Sequence, residues 1–303
     1  MKILVCDPIA DAGVKLLNNS EHDVDVKTGM SVEELEAIIA DYHAIIVRSA
    51  TKIREAQIDK ATNLKVIARG GVGLDNIDVA YAKDKGVQVK NTPGASSISV
   101  AELTFAHMLA AARNVGRATV GMKNGKWEKK KLKGIELYGK TLRLIGAGRI
   151  AQEVAKRAIA FGMTVVAADP YVKEIEGIDI VMKTKEEVLK AADFLSLHVP
   201  LTDETRNIIN EEAINSMKDG AIIVNCGRGG TVDEAPLAKA IASGKIRAAG
   251  LDVFSKEPIT GDEVVLKEDN VSFTPHIGAS TVEGQLRVGV EVAEVILDTL
   301  KGL

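Results

Sequence analysis

The chain has 303 residues, 46% of them hydrophobic and 27% charged, with 39 Lys and Arg against 42 Asp and Glu for a formal net charge of −3. Such a length suits about two domains with a sizeable core in each, and the composition excludes both a disordered tail and a general polyanion binder. With five Phe, four Tyr and one Trp, the cores must be built from aliphatic side chains, the mixture that suits parallel strands covered by helices.

Short apolar, β-branched runs alternate with helix-like stretches almost throughout. The predicted strands are Lys2–Asp7, Ala44–Ser49, Lys65–Arg69, Val87–Asn91, Thr141–Gly146, Thr164–Asp169, Phe194–Val199, Ala221–Cys226, Ala248–Val253 and Val271–Pro275. The first of them, in MKILVCD, meets Asp7 too early to be a signal peptide, and no run reaches the roughly 18 apolar residues of a membrane span. Ser31 with Glu34 has the form of a capping box that opens a helix through Ala40. Two long helical stretches interrupt the alternation. Ser97–Arg113 is apolar on most sides and is expected to be buried, and Thr281–Lys301 carries an apolar stripe at Leu286, Val290, Ala293, Ile296 and Leu297. These are the candidate domain hinges. The ladder before residue 97 and the ladder after residue 140 are each long enough for a doubly wound sheet, so the fold class is α/β. Lys123–Lys133 reads as a basic, solvated turn with one Trp. Cys6 and Cys226 are too few for a disulfide framework and lack metal-ligand spacing. No metal is expected, and the compartment is expected to be a reducing cytosol.

The most informative stretch is Lys140–Pro170. A strand ends at Gly146, Gly148 and Ala151 fill the later positions of G-x-G-x-x-G/A, a helix follows, and a second strand delivers Asp169 about 20 residues on. Gly146 allows the tight turn, Gly148 lets backbone approach a pyrophosphate, and Ala151 permits close packing at the helix N-terminus. Asp169 is placed to accept hydrogen bonds from a ribose 2′-hydroxyl, which favours NAD over NADP. A second cluster, Gly71-Val72-Gly73 after Arg69, lacks the helix and acid. Its open amides suit an anion nest or a structural turn about equally.

Three ionisable residues sit just past strand ends: Arg228 in VNCGRGGTVDE, Glu257 in LDVFSKEP and His276 in FTPHIGAST. Open α/β sheets bind ligands along that edge. His276 titrates near neutrality and fits a general base. Glu257, if paired with it, would orient the imidazole and support its protonated form, and Arg228 offers a planar fork for a carboxylate. His22, His43, His107 and His198 lack such company.

Together these segments resemble the D-isomer-specific 2-hydroxyacid dehydrogenases. The likeness runs nearly end to end: VRSATKI (47–53), GVGLDNID (71–78), NTP (91–93), SVAEL (99–103), KWEKKKLKGIELYGKTL (126–142), GAGRIA (146–151), HVPLT (198–202), VNCGRGGTVDE (224–234), AAGLDVFSKEP (248–258) and PHIGAST (275–281). The resemblance is nearest to members that oxidise 3-phospho-D-glycerate to 3-phosphooxypyruvate, the first step towards L-serine. It implies two doubly wound domains, with a Rossmann NAD-binding domain (98–279) inserted into a flavodoxin-like substrate domain (1–97 and 280–303). It also implies His276 as acid/base, Glu257 as its partner and Arg228 on the substrate carboxylate. The implied NAD contacts are Gly146, Gly148, Arg149, Ile150, Asp169, Val199, Cys226 through its backbone, Gly227, Asp252 and Gly278. Arg48, Arg69, Gly71, Val72, Gly73 and Ser96 are implied for the phosphate and carboxylate end of a small anionic substrate.

Further implications are a homodimer, with Lys129–Lys131 adding charge at its interface, and neither a nucleic-acid nor a membrane partner. The length leaves no room for the serine-binding C-terminal domain that some members carry, so no serine inhibition through one is expected. Alternative readings are a glyoxylate or hydroxypyruvate reductase and, outside enzymes, an NAD(H)-sensing binding protein like the corepressors that share this scaffold. Arg143, inside LRLIG, departs from the small or apolar residue usual there.

Overall fold

The computed structural model describes residues 1–302, and Leu303, the last residue of the expected substrate domain, lies outside them. Internal contacts divide the chain into two compact units, Met1–Ser96 with Ala279–Leu303, and Ser97–Gly278.

In the first unit β1 (Lys2–Val5), α1 (Asp11–Asn18), β2 (Asp23–Val26), α2 (Val32–Ile38), β3 (Ala44–Val47), α3 (Glu55–Lys60), β4 (Val66–Arg69), α4 (Val79–Asp84) and β5 (Gln88–Asn91) follow in turn. The strands form one parallel sheet in the order β2-β1-β3-β4-β5. That is the flavodoxin-like arrangement, with its change of direction between β1 and β3. Alternate strand residues feed two cores. Leu4, Ile45, Val47 and Ile67 lie in one cluster, and Ile3, Val5, Ala44, Ile46, Val66 and Ala68 in the other. The capping box forms in full: Glu34 N–H donates to Ser31 Oγ at 3.2 Å, and Ser31 N–H to the Glu34 carboxylate at 2.8 Å. The helix it opens ends at Ile38 and tightens into a 3₁₀ turn over Ile39–Asp41.

The second unit opens with α5 (Ser97–Arg113) and α6 (Val115–Lys123), then runs β6 (Thr141–Ile145), α7 (Arg149–Ala160), β7 (Thr164–Ala168), β8 (Val181–Met182), α8 (Lys185–Lys190), β9 (Phe194–Leu197), α9 (Glu211–Ser216), β10 (Ala221–Asn225), α10 (Glu234–Ala242), β11 (Ile246–Leu251) and β12 (Val271–Phe273). Its parallel sheet has the order β12-β11-β10-β9-β6-β7-β8. The order reverses at β6, so the ligand crevice of such a sheet opens beyond the carboxyl ends of β6 and β9. Here too alternation fills both faces: Ile223 with Ile145 on one side, Ile222 and Val224 with Leu142 and Leu144 on the other. Helix α5 is buried along Val100, Ala101, Phe105, Met108, Ala111 and Ala112. Arg143 projects from β6, and its Nη1 donates to Glu187 O on α8 at 3.0 Å, close to the charges of Glu187 and Asp193.

Helix α11 (Val282–Lys301) closes the first unit, with the Thr281 hydroxyl accepting from Gly284 N–H at 2.9 Å as its cap. The expected stripe holds at Ala293 and Ile296, with Leu297 partly buried, and is corrected at its start: the buried face is Val288, Gly289, Val292, Ala293, Ile296 and Leu300, whereas Leu286 is 48% exposed. The cause is a backbone crossing: a Cβ on Gly13 of α1 would sit 2.1 Å from Gly289 O, and one on Gly289 would sit 2.9 Å from Ala10 N. Only glycines permit that approach, and it turns the small face inward at the expense of the bulkier one.

Two further differences concern strands. β2 and β8 were not expected. β2 alternates Asp with Val and buries none of its four residues, and β8 has only two residues, so neither carries the apolar signal of a central strand. Several expected strands also end early, at Val5, Val47, Ile145, Ala168, Leu197, Asn225, Leu251 and Phe273. The residues beyond leave the ladder at the sheet's carboxyl edge, where side chains turn toward function.

Candidate active site

The turn after β6 is fixed by its glycines. Gly146 has φ +94°, and a Cβ there would lie 2.5 Å from His198 O, so no other residue fits without displacement. Gly148 caps α7 in extended conformation with no side-chain bond to the helix amides. A Cβ on Gly148 would meet nothing within 4 Å, which leaves open space beside the positive end of a 12-residue helix. Arg149 and Ile150 form its first turn. Asp169 closes the cradle: its carboxylate accepts from Ala147 N–H at 2.9 Å and from Tyr171 and Val172 N–H at 2.8 and 3.2 Å. The glycine turn, the helix end and the half-buried acid are therefore tied together, and these residues fit a dinucleotide.

The neighbouring strand ends complete the edge. After β9, Val199 packs beside Gly146, and the half-buried His198 shares a hydrogen bond between its Nε2 and Ser196 Oγ at 2.9 Å. Burial pushes its imidazole down to about 4. After β10, burial pushes the Cys226 thiol up to about 12, which leaves its backbone as its useful part. A Cβ on Gly227 would be 3.0 Å from Leu197 O. Asn225 was missed by sequence reasoning. Its side chain accepts from Gly227 N–H at 3.0 Å and donates to Arg228 O at 3.0 Å, shaping the loop that presents Arg228. A polar residue closing the apolar run AIIVN was the available signal. Arg228 Nη1 donates to Gly227 O at 2.8 Å.

The structure brings His276 and Glu257 into direct contact, Nδ1 to Oε2 at 2.6 Å. Glu257 is anchored by Phe254 N–H, which donates to its other oxygen at 2.9 Å. Burial alone would raise the Glu257 carboxyl, but the bonds from His276 and Phe254 and the charges of His276 and Arg228 hold it below its ordinary value. The bond to Glu257 raises His276 against burial, with the charges of Glu257 and Asp252 adding and Arg228 opposing. His276 adopts φ +52°, a conformation non-glycine residues avoid. Asp252 holds it there: the Asp252 carbonyl accepts from His276 N–H, and its carboxylate from Ile277 and Gly278 N–H, each at 2.8 Å. Since Nδ1 faces Glu257, Nε2 is the nitrogen left for a substrate proton.

Arg48 follows β3, Arg69 ends β4 and Gly71 to Gly73 come just after it, all at the carboxyl edge of the first unit's sheet. Asp7 accepts from Arg48 N–H and from Thr51, and the buried Arg48 Nε has no hydrogen-bond partner. Burial lowers its guanidinium, with Asp7 opposing. The nest at Gly71 is narrower than expected: the Gly71 amide is taken by Thr92 Oγ1 at 2.8 Å, and a Cβ on Gly71 would strike Arg69. Ser96 is buried at the end of this segment. Among the described residues no cluster of three His, Cys, Asp or Glu side chains is placed to hold a metal ion, and no helix is long and apolar enough to cross a membrane.

Comparison with known proteins agrees with this geometry. Residues 105–278 match the family model described as D-isomer specific 2-hydroxyacid dehydrogenase, NAD binding domain. The chain is 53% identical to a hydroxypyruvate reductase of Thermotoga maritima, covering 99% of this chain and 98% of that one. It is also 53% identical to a D-3-phosphoglycerate dehydrogenase of Methanocaldococcus jannaschii, covering all of this chain but 58% of that one. A D-lactate dehydrogenase from Aquifex aeolicus, solved with NAD and lactic acid, superposes with a TM-score of 0.86 at 32% identity, over 100% of this chain and 96% of that one. With its reversed parallel sheet, its glycine cradle closed by Asp169 and its His–Glu pair on the same edge, the chain belongs to the D-isomer specific 2-hydroxyacid dehydrogenases, and its cofactor is NAD.

Proposed function

We propose that the protein oxidises 3-phospho-D-glycerate to 3-phosphooxypyruvate. The observation that carries the reading is the 2.6 Å His276–Glu257 pair, electrostatically coupled to Arg228, on the edge that holds the dinucleotide cradle. His276 Nε2 takes the C2 hydroxyl proton, and Glu257 keeps the ring oriented and supports the imidazolium. Arg228 holds the substrate carboxylate through its planar fork. Gly146, Gly148, Arg149, Ile150, Asp169, Val199, the Cys226 and Gly227 backbone, Asp252 and Gly278 hold NAD, which when bound accepts the hydride from C2. Arg48 binds the substrate phosphate, and Arg69, the loop of Gly71 to Gly73 and Ser96 line the rest of the anionic substrate's seat beside it. The unpaired Arg48 Nε supports that role.

A second reading has direct support: the Thermotoga hydroxypyruvate reductase is 53% identical to this chain, the same identity as the Methanocaldococcus phosphoglycerate dehydrogenase. The same groups run in reverse would reduce an unphosphorylated keto acid. Initial rates on 3-phospho-D-glycerate with NAD and a trap for the keto product, beside hydroxypyruvate, glyoxylate and pyruvate with NADH, separate the two. The first reading expects Arg48→Ala to lose activity on the phosphorylated substrate alone. Equal loss on all substrates contradicts the phosphate assignment, and no turnover of any of them favours a sensing role. A cytosolic homodimer completes the reading. It is supported by the segment exposing Val120, Met122, Trp127 and Tyr138 around Lys129–Lys131 and by the two free, buried thiols. Light scattering would read the dimer directly.

A further inference from the structure

Within the second unit, His107 lies on the buried side of α5, 2% exposed, yet both its ring nitrogens are engaged. Nδ1 is 3.0 Å from Ser272 Oγ and Nε2 is 2.8 Å from Thr274 Oγ1. The ring has a made seat: a Cβ on Gly250 of β11 would come within 2.5 Å of His107 Cβ. Beyond Thr274 the chain of bonds continues. Thr274 Oγ1 donates to Asp252 Oδ1 at 2.6 Å, and Asp252 is the residue whose three oxygens secure His276, Ile277 and Gly278.

The direction of this chain follows from its end. A carboxylate has no proton to give, so the Thr274 hydroxyl proton points at Asp252 and only lone pairs remain for His107. Nε2 must therefore carry hydrogen. Burial lowers the His107 imidazole, with the charge of Asp252 opposing; in the singly protonated ring Nδ1 accepts from the Ser272 hydroxyl. The bonds run one way, Ser272 to His107 to Thr274 to Asp252, and each hydroxyl has one orientation. Without the His107 donor, the Thr274 hydroxyl would be released to turn, and Asp252 Oδ1 would keep only one of its two donors, Ile277 N–H.

We propose that His107 is a positioning residue for the reaction: through Thr274 it holds Asp252 in the orientation that clamps the His276–Gly278 loop and aims His276 at the substrate hydroxyl. The inference rests on the reading of His276 as the proton acceptor. Packing alone would require only that both ring nitrogens find partners; here both partners lie on the segment that ends in His276, and one of them passes the bond on to Asp252.

The test compares three substitutions in the full-length protein, on whichever hydroxy acid the wild type turns over, at saturating NAD. His107→Leu removes both bonds. His107→Asn puts an amide near the Nδ1 position, and His107→Gln puts one near Nε2, where it can donate to Thr274. His107→Leu and His107→Asn are expected to lower kcat by roughly ten- to a hundredfold, with KM for the hydroxy acid changing less than about threefold, and His107→Gln to keep kcat within about threefold of wild type. Thr274→Val is expected to show the same loss, and His107→Leu added to it no further loss. The proposal is overturned if His107→Leu keeps the wild-type kcat, if His107→Gln loses as much as His107→Leu, or if the loss lies wholly in KM. Should the His107 variants fail to fold, Thr274→Val decides alone, and a wild-type kcat there overturns the proposal. His276→Ala is measured alongside. If it stays fully active, the proton-acceptor reading itself fails. If it is inactive while His107→Leu and Thr274→Val are unimpaired, only the inference about His107 fails.

Discussion

Gly146 and Gly148 belong to one motif, but the structure assigns them different tasks and their alanine variants should separate. At Gly146 the backbone has φ +94°, and the new Cβ would lie 2.5 Å from His198 O where ordinary contact begins at 3.4 Å. The turn and the end of β9 must move apart by roughly 1 Å, at about 1–3 kcal/mol for overpacking. The left-handed backbone adds about 1–2 kcal/mol. Gly146→Ala should therefore lose about 3 kcal/mol of stability, a fall in Tm of roughly 6–12 °C for a domain of this size, and NAD affinity with it. At Gly148 the backbone is extended and the Cβ meets nothing. Gly148→Ala should cost only about 0.5 kcal/mol, as an alanine cap does. The methyl group would instead occupy space a pyrophosphate needs, and losing one charge-assisted bond to the helix amides is worth about 1.5–3 kcal/mol, roughly ten- to a hundredfold in Kd. Calorimetric melts and NAD titrations of both variants measure all four quantities. A Gly148→Ala protein that binds NAD as tightly as wild type would refute the placement of the cofactor on α7.

Glu257→Gln removes the first cause of the raised His276 value, so the acid limb of kcat/KM for hydroxy-acid oxidation, which needs the unprotonated ring, should move to lower pH while the plateau falls; an unmoved limb contradicts the pairing. Because His276 is raised and Glu257 lowered on folding, the pair's contribution to stability is full between their ordinary values, 4.5 and 6.5. It is lost as pH falls through the Glu257 value in the fold or rises through that of His276, which melts across pH with and without the substitution would show. Asp169→Gly should weaken NAD and relax discrimination against NADP, and an unchanged preference in paired titrations rules out the ribose role. Gly13→Ala places a Cβ 2.1 Å from Gly289 O and should cost about 1–3 kcal/mol as α1 and α11 separate; an unchanged melt argues against the crossing.

How far the sequence could be read depended on whether a feature was local. The central strands were legible because both faces of each sheet are buried in aliphatic side chains, so AIIV at 44–47 and 221–224 stands out by composition alone. β2 was not legible, since an edge strand of alternating Asp and Val buries nothing. The stripe on α11 is legible at Ala293 and Ile296 but not at its start, because hydrophobicity favours Leu286 and Val290 whereas the face is chosen by Gly289 meeting Gly13, residues far apart in sequence. Asp169, Arg228 and His276 are legible as candidates because each is an ionisable residue one to three positions past a strand end. The clamp by Asp252, the left-handed His276, the shaping of the Arg228 loop by Asn225 and the engaged ring of His107 depend on long-range pairing that no local pattern carries.

The most direct test of the whole account is the initial rate of NADH formation from 3-phospho-D-glycerate and NAD, with the keto product trapped, for the wild type and His276→Ala side by side. The account predicts phosphoglycerate-dependent NADH in the wild type and a fall in kcat on the order of 10² to 10⁴ in the variant, with NAD binding retained. A wild type that forms no NADH, or a His276→Ala protein that forms it at the wild-type rate, would contradict it.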